Sequence, residues 1–108
     1  MATVHIVLSQ VGGRSTGGAA MPVANSIPIE VDTMTSTTSS VKSSIVASKG
    51  GLASASAFWT ITGSGGNVWL AFGSDPTAAA DSGWLLLDGQ TRDFAVTGAA
   101  ETVAIKDA

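Results

Sequence analysis

Apolar residues in this chain recur at every second position in short runs, the spacing of a strand, and no long stretch keeps the spacing of a helix. Val4, Ile6 and Leu8 alternate with Thr3, His5 and Val7, which predicts a strand over 3–9 with one apolar face. Ile27, Ile29 and Val31 interleave with Pro28, Glu30 and Asp32. A proline cannot donate to a ladder, so this segment is expected at a sheet edge or a bulge. Ala57, Trp59 and Ile61 alternate with Phe58, Thr60 and Thr62, and Val68, Leu70 and Phe72 follow after Gly63-Ser64-Gly65-Gly66-Asn67. A hairpin is the economical reading of that pair. Trp84–Leu87 predicts a strand, Asp88-Gly89 a tight turn, and 92–96 a strand pairing back. Thr102–Lys106 closes the chain with Val103 and Ile105 facing in. The expectation is an all-β fold, a β-sandwich or jelly roll of about eight short antiparallel strands.

Three stretches interrupt the pattern. Gln10–Met21 holds Gly12, Gly13, Gly17 and Gly18, which raise the entropy cost of ordering and predict a long mobile loop near 10–21. Residues 33–48 carry ten Ser or Thr in sixteen positions. Their hydroxyls compete for backbone hydrogen bonds, so the half near 33–40 is expected as flexible loop or exposed edge. Val41, Ile45 and Val46 point to a strand over about 41–47. Asp75-Pro76-Thr77 and the alanines after it combine an N-cap acceptor with proline at the first helical position. That predicts at most one short helix near 76–81, ended by Ser82-Gly83.

At 108 residues the chain is expected to form one domain over 1–108, since two cores would leave each half too small. Five Lys+Arg against eight Asp+Glu give a net charge of −3, which argues against nucleic acid as a partner. With no cysteine, neither a disulfide framework nor a thiolate metal site is open to it. The longest bulky apolar run, Trp84–Leu87, falls far short of the roughly 20 residues that span a bilayer. Met1–His5 lacks the cationic and apolar segments of a secretory signal, so synthesis in a cytoplasm and no membrane are expected.

The inventory of reactive groups predicts no catalytic site, no metal and no cofactor. The sole histidine, His5, has no Gly-x-Ser-x-Gly elbow to serve, and reads as a structural or surface residue. Glu30 and Asp32 lie on one strand face, roughly 7 Å apart, but no Asp-x-Asp-x-Asp-Gly loop supplies the remaining oxygens for calcium. They read as a solvated polar face. Arg92 and Asp93 point to opposite faces of their strand. The glycines of 63–66 lead into a strand, whereas a phosphate cradle leads into a helix N-terminus. Among the tryptophans, Trp59 shares a face with Ile61 and reads as core. Trp69 alternates against Val68 and Leu70 and is expected on an outer face. Trp84 is expected over the 76–81 helix. Trp69 and Trp84 are therefore the candidate partner-contact residues, since an exposed aromatic can anchor a partner or stack on a sugar.

Asn67-Val68-Trp69-Leu70-Ala71-Phe72-Gly73, then Asp75-Pro76-Thr77-Ala78, then Gly83-Trp84-Leu85-Leu86 resemble small structural proteins of tailed bacteriophages. Phe94-Ala95-Val96 and Val103-Ala104-Ile105 before a short acidic tail continue the resemblance, which covers about two-fifths of the chain and carries no catalytic motif. Gly98-Ala99-Ala100-Glu101-Thr102 departs from the Gly-x-Lys turn of that group, leaving the register of the last hairpin open. The resemblance implies a β-sandwich virion component, foremost a capsid decoration (cement) protein that stabilises the head by bridging capsid subunits. Its implied partners are the major capsid protein or other virion subunits, with self-association such as a trimer. Arms near 10–21 and 33–40 would then order on contact with capsid neighbours. A head–tail connector, tail or fibre protein is the alternative. A carbohydrate-binding module using Trp69 or Trp84 is the rival from another class.

Overall fold

The computed structural model describes residues 1–16, 19–24, 27–47, 57–98 and 100–108, with side chains described outside 11–26. Nine strands appear among these residues: β1 (Thr3–Thr16), β2 (Ala19–Ala24), β3 (Glu30–Thr35), β4 (Val41–Lys42), β5 (Ala57–Ser64), β6 (Val68–Gly73), β7 (Trp84–Leu86), β8 (Thr91–Ala95) and β9 (Thr102–Asp107). All ladders are antiparallel. The first sheet runs β2-β1-β5-β8, with β3 also on β1, and the second runs β4-β9-β6-β7. The all-β expectation holds, and the form is a β-sandwich.

Alternation explains the core. Val4, Ile6 and Leu8 of β1 and Trp59 and Ile61 of β5 are fully buried, as are Val68, Leu70, Leu86, Val103 and Ile105 of the second sheet. Together they form one apolar cluster between the sheets. Their burial is the main favourable term in folding, at about 1.5–3 kcal/mol for each large aliphatic side chain.

The hairpins expected at 57–72, 84–96 and the end of the chain do not form. β5 belongs to the first sheet and β6 to the second; β7 belongs to the second, β8 to the first and β9 to the second. Each of these connections therefore crosses the sandwich. Asp88-Gly89 does make its turn, with Gly89 at φ 77° and Gln90 N–H on the Leu87 carbonyl, but the strands leaving it part company. Alternation states which face of a strand is apolar, and that face turns inward whether the next strand lies beside it or opposite. Two crossings are tied side by side. Gly89 N–H donates to the Gly63 carbonyl, Gly65 N–H to Asp88 Oδ1, and Asp88 N–H to Asn67 Oδ1.

Other expectations need correction. The loop near 10–21 is largely strand: β1 runs on to Thr16 and pairs with β2 from Val11↔Ala24 to Thr16↔Ala19. Ladder bonds compensate for the glycines, and Pro22 is tolerated because β2 is an edge strand. Gly17 and Gly18 lie outside the described residues. Of 33–40, residues 33–35 belong to β3, and 36–40 cross between the sheets. The strand expected over 41–47 shrinks to Val41–Lys42. Beyond it Ser43 and Ala47 N–H still bond the Val103 and Glu101 carbonyls, and Ile45 enters the core. Pro28 precedes an edge strand as expected, yet Val31 faces outward and Asp32 and Met34 take the inward positions.

No helix forms near 76–81. Three alanines between Thr77 and Gly83 are too few to repay helix nucleation. Instead Pro76 and Ala78 are buried, Ala78 N–H donates to Ser40 Oγ, and Asp75, the expected cap, pairs with Lys42 at 2.7 Å. The Lys42 ammonium holds the Asp75 carboxyl below its ordinary 3.8. Among the described residues no helix is long and apolar enough to cross a membrane.

Candidate functional site

β7 and β8 end their respective sheets. On β8, Arg92 is in register with Ile61 and Phe94 with Trp59, so both face inward; on β7, Trp84 is in register with Leu70. At this edge the core ends in a half-open aromatic cluster. Phe72 and Phe94 ring centroids are 4.8 Å apart, and Trp84 and Phe94 are 5.6 Å apart, both tilted pairs. Trp84 keeps 48% of its surface exposed. The Arg92 guanidinium carbon lies 4.7 Å from the Trp84 ring centroid and 5.4 Å from that of Phe94, within cation–π range.

Below the rings is a pocket of about 310 Å³ lined by Phe72, Trp84, Phe94, Ala95, Thr97 and Glu101. Glu101 is 5% exposed, and its carboxylate is engaged from within the protein. Oε1 accepts from Trp59 Nε1 at 2.8 Å, and Oε2 accepts from both the N–H and the hydroxyl of Thr97. A buried carboxylate needs such donors, and these three fasten the β8–β9 crossing to the core. Arg92 is different. Its guanidinium, with five N–H donors, makes no hydrogen bond or ion pair with any described residue.

Trp69 and Trp84 are not brought together. Trp69 lies on the outer face of the second sheet, half-buried and in register with Leu85 and Lys106. Trp84 lies on the opposite face and packs on Phe94 and Arg92, in place of the helix expected beneath it. Trp59 is fully buried, as its alternation implies. His5 is exposed on the outer face of the first sheet, with Nδ1 3.0 Å from the Thr33 hydroxyl. Glu30 and Asp32 share a face of β3, and Asp32 Oδ2 accepts from the Ser43 hydroxyl. No group of three or more metal-ligating side chains occurs among the described residues. Asp93 points away from Arg92 and accepts from the Thr60 hydroxyl.

Reasoning from sequence missed Arg92, Phe94, Phe72 and Glu101. The only signal available was Arg92 and Phe94 two residues apart, which places them on one face without revealing that the strand ends a sheet.

Fold and site together define a small β-sandwich whose most distinctive described surface is an aromatic edge bearing a guanidinium that meets no acid among the described residues. In comparisons with protein families, curated proteins and solved structures, none matches this chain.

Proposed function

We propose that this chain is a non-enzymatic structural protein of a tailed-phage virion, a capsid decoration protein that stabilises the head by bridging capsid subunits. The observation that carries the reading is the β7–β8 edge. There Trp84 is half exposed, Phe94 and Phe72 flank a pocket, and Arg92 lacks an acidic partner among the described residues. Tryptophan and arginine dominate interface hot spots, and this edge has the composition of a docking anchor. The phage resemblance of 67–87 overlaps the same elements, since it includes Phe72 and Trp84. Many copies on a repeating lattice, with self-association such as a trimer, would turn modest single-site affinity into lasting attachment.

Electron cryo-microscopy of the intact particle tests this directly. The expected result is density for the sandwich on the outer capsid at lattice-related positions. Particles stripped of the chain are expected to lose DNA at lower temperature and under osmotic shock. Density at a connector, tail or fibre would replace the decoration role with another structural one. The half-exposed Trp84 indole beside a pocket also favours a second reading, carbohydrate binding. A glycan array with hits that vanish in Trp84→Ala would select it.

A further inference from the structure

We propose that the open edge of β8 docks an extended segment of a partner protein carrying an acidic side chain two positions from an aromatic or large apolar one. The proposal rests on the reading of this edge as an assembly surface and states what it recognises. β8 pairs with β5 from Phe58↔Ala95 to Thr62↔Thr91, and no described strand lies on its other side. An unpaired strand edge presents backbone N–H and C=O groups to an incoming strand. The β3 edge of the same sheet is defended differently, with Pro28 ahead of it and two acids, Glu30 and Asp32, on its inward side. Proline and inward charges both resist strand addition. β8 has no proline, and its one inward charge is Arg92, stacked on Trp84 and Phe94 and met by no acid among the described residues.

That arrangement selects an occupant. A strand added beside β8 would lie about 4.8 Å away, with alternate side chains on the inward face about 6.7 Å apart. An inward residue opposite Arg92 meets a guanidinium already held by two rings, so a carboxylate there gains a charge-assisted hydrogen bond at little ordering cost. A lysine or arginine there would be repelled. The next inward residue lies opposite Phe94, over the aromatic pocket of about 310 Å³. That volume is at the low end for ligand pockets (about 300–1,000 Å³) and suits one large side chain. Glu101 does not compete for Arg92, because its oxygens hold Trp59 and Thr97.

The test uses the full chain and a capped nine-residue peptide of alternating threonine and valine. One central valine is replaced by glutamate and the next valine by phenylalanine. Two-dimensional ¹H–¹⁵N NMR titration is expected to show saturable shifts at Thr91–Ala95 and Trp84 Nε1, with slowed amide exchange along β8. Glutamine in place of the peptide glutamate should weaken binding about tenfold, and lysine should abolish it, a difference of about 1.4 kcal/mol or more. Arg92→Gln in the protein should weaken the glutamate peptide by a similar factor and leave the glutamine peptide unchanged. Trp84→Ala should weaken both.

Absence of saturation at millimolar peptide would overturn the proposal, as would shifts mapping elsewhere or indifference to Arg92→Gln. So would sedimentation of the free protein as a dimer that Arg92→Gln dissociates, because a second copy would then occupy the edge. Glycan binding that protects β8 equally well would also overturn it. Particle location is read separately by microscopy, so the docking motif and the virion role can fail independently.

Discussion

Gly83 and Gly89 both hold a positive φ, 82° and 77°, but differ in what a side chain would meet. A Cβ at Gly83 would stand 2.3 Å from the Leu70 carbonyl oxygen, whereas at Gly89 it would meet nothing within 4 Å. Gly89→Ala should therefore cost about 1–2 kcal/mol, the left-handed penalty alone. Gly83→Ala should cost clearly more, about 3 kcal/mol or above, because backbone must move; urea unfolding of the two variants checks the ranking. Glu101 offers a second residue-scale test. Glu101→Ala strands the buried Trp59 N–H and should cost about 3 kcal/mol by the same measurement, while Glu101→Gln keeps an acceptor and should cost less. Asp75 supplies a pH-dependent case. Lys42 lowers its carboxyl in the folded state, so the pair contributes above the ordinary 3.8 and its contribution is lost as pH falls through the lower folded value. An NMR titration should find the Asp75 midpoint below 3.8, and Lys42→Met should return it toward that value.

At the scale of elements, the connections carry the information that strand patterning lacks. Val4-x-Ile6-x-Leu8 and Trp59-x-Ile61 were readable as inward faces, and burial agrees at each position. Gly63–Asn67 and Leu87–Gln90 were readable as turns, but they were expected to close hairpins and instead cross between sheets. Bonds between the two crossings hold them. Asn67→Ala removes the acceptor for Asp88 N–H and should destabilise by about 1 kcal/mol, with faster amide exchange at Gly65 and Asp88 as the local readout. The candidate site was half legible. Trp84 was singled out as a candidate partner-contact residue and expected over a 76–81 helix; without that helix it packs on Phe94 and Arg92 and keeps 48% of its surface exposed. Arg92 looked like any strand charge, because its place beside Trp84 and Phe94, with no acid among the described residues, depends on β8 ending the first sheet.

Across the whole molecule, pairings join distant parts of the chain. Thr3 is in register with Ser64, Val41 with Ile105 and Val68 with Asp107. Ser36 Oγ accepts from Ala2 N–H and donates to Asp107, linking three strands' ends in one chain of bonds. Topologies of such long-range contacts fold slowly, so refolding should take milliseconds to seconds, measurable by stopped-flow tryptophan fluorescence. A single apolar cluster spans both sheets, so heating should give one cooperative transition by calorimetry. At about 3.3 Å per residue, β1 with its fourteen residues would span roughly 43 Å, most of the 48 Å longest dimension. Its Val11–Thr16 half pairs only with β2 among the described strands, while its first half builds the core.

Local chemistry settled what local chemistry can reach: strand as the dominant element, the apolar face of most strands, the turn at Asp88-Gly89, and Trp59 in the core. The period of a strand is two residues and the reach of a turn is four, so these properties are written in short stretches of chain. Sheet membership, the crossings, the strand at 10–16 in place of a loop, and the fate of Asp75-Pro76 were decided by partners many residues away. The β8 edge is the clearest case. Among the described residues no strand completes its outer side, and that is a property of the assembled sheet.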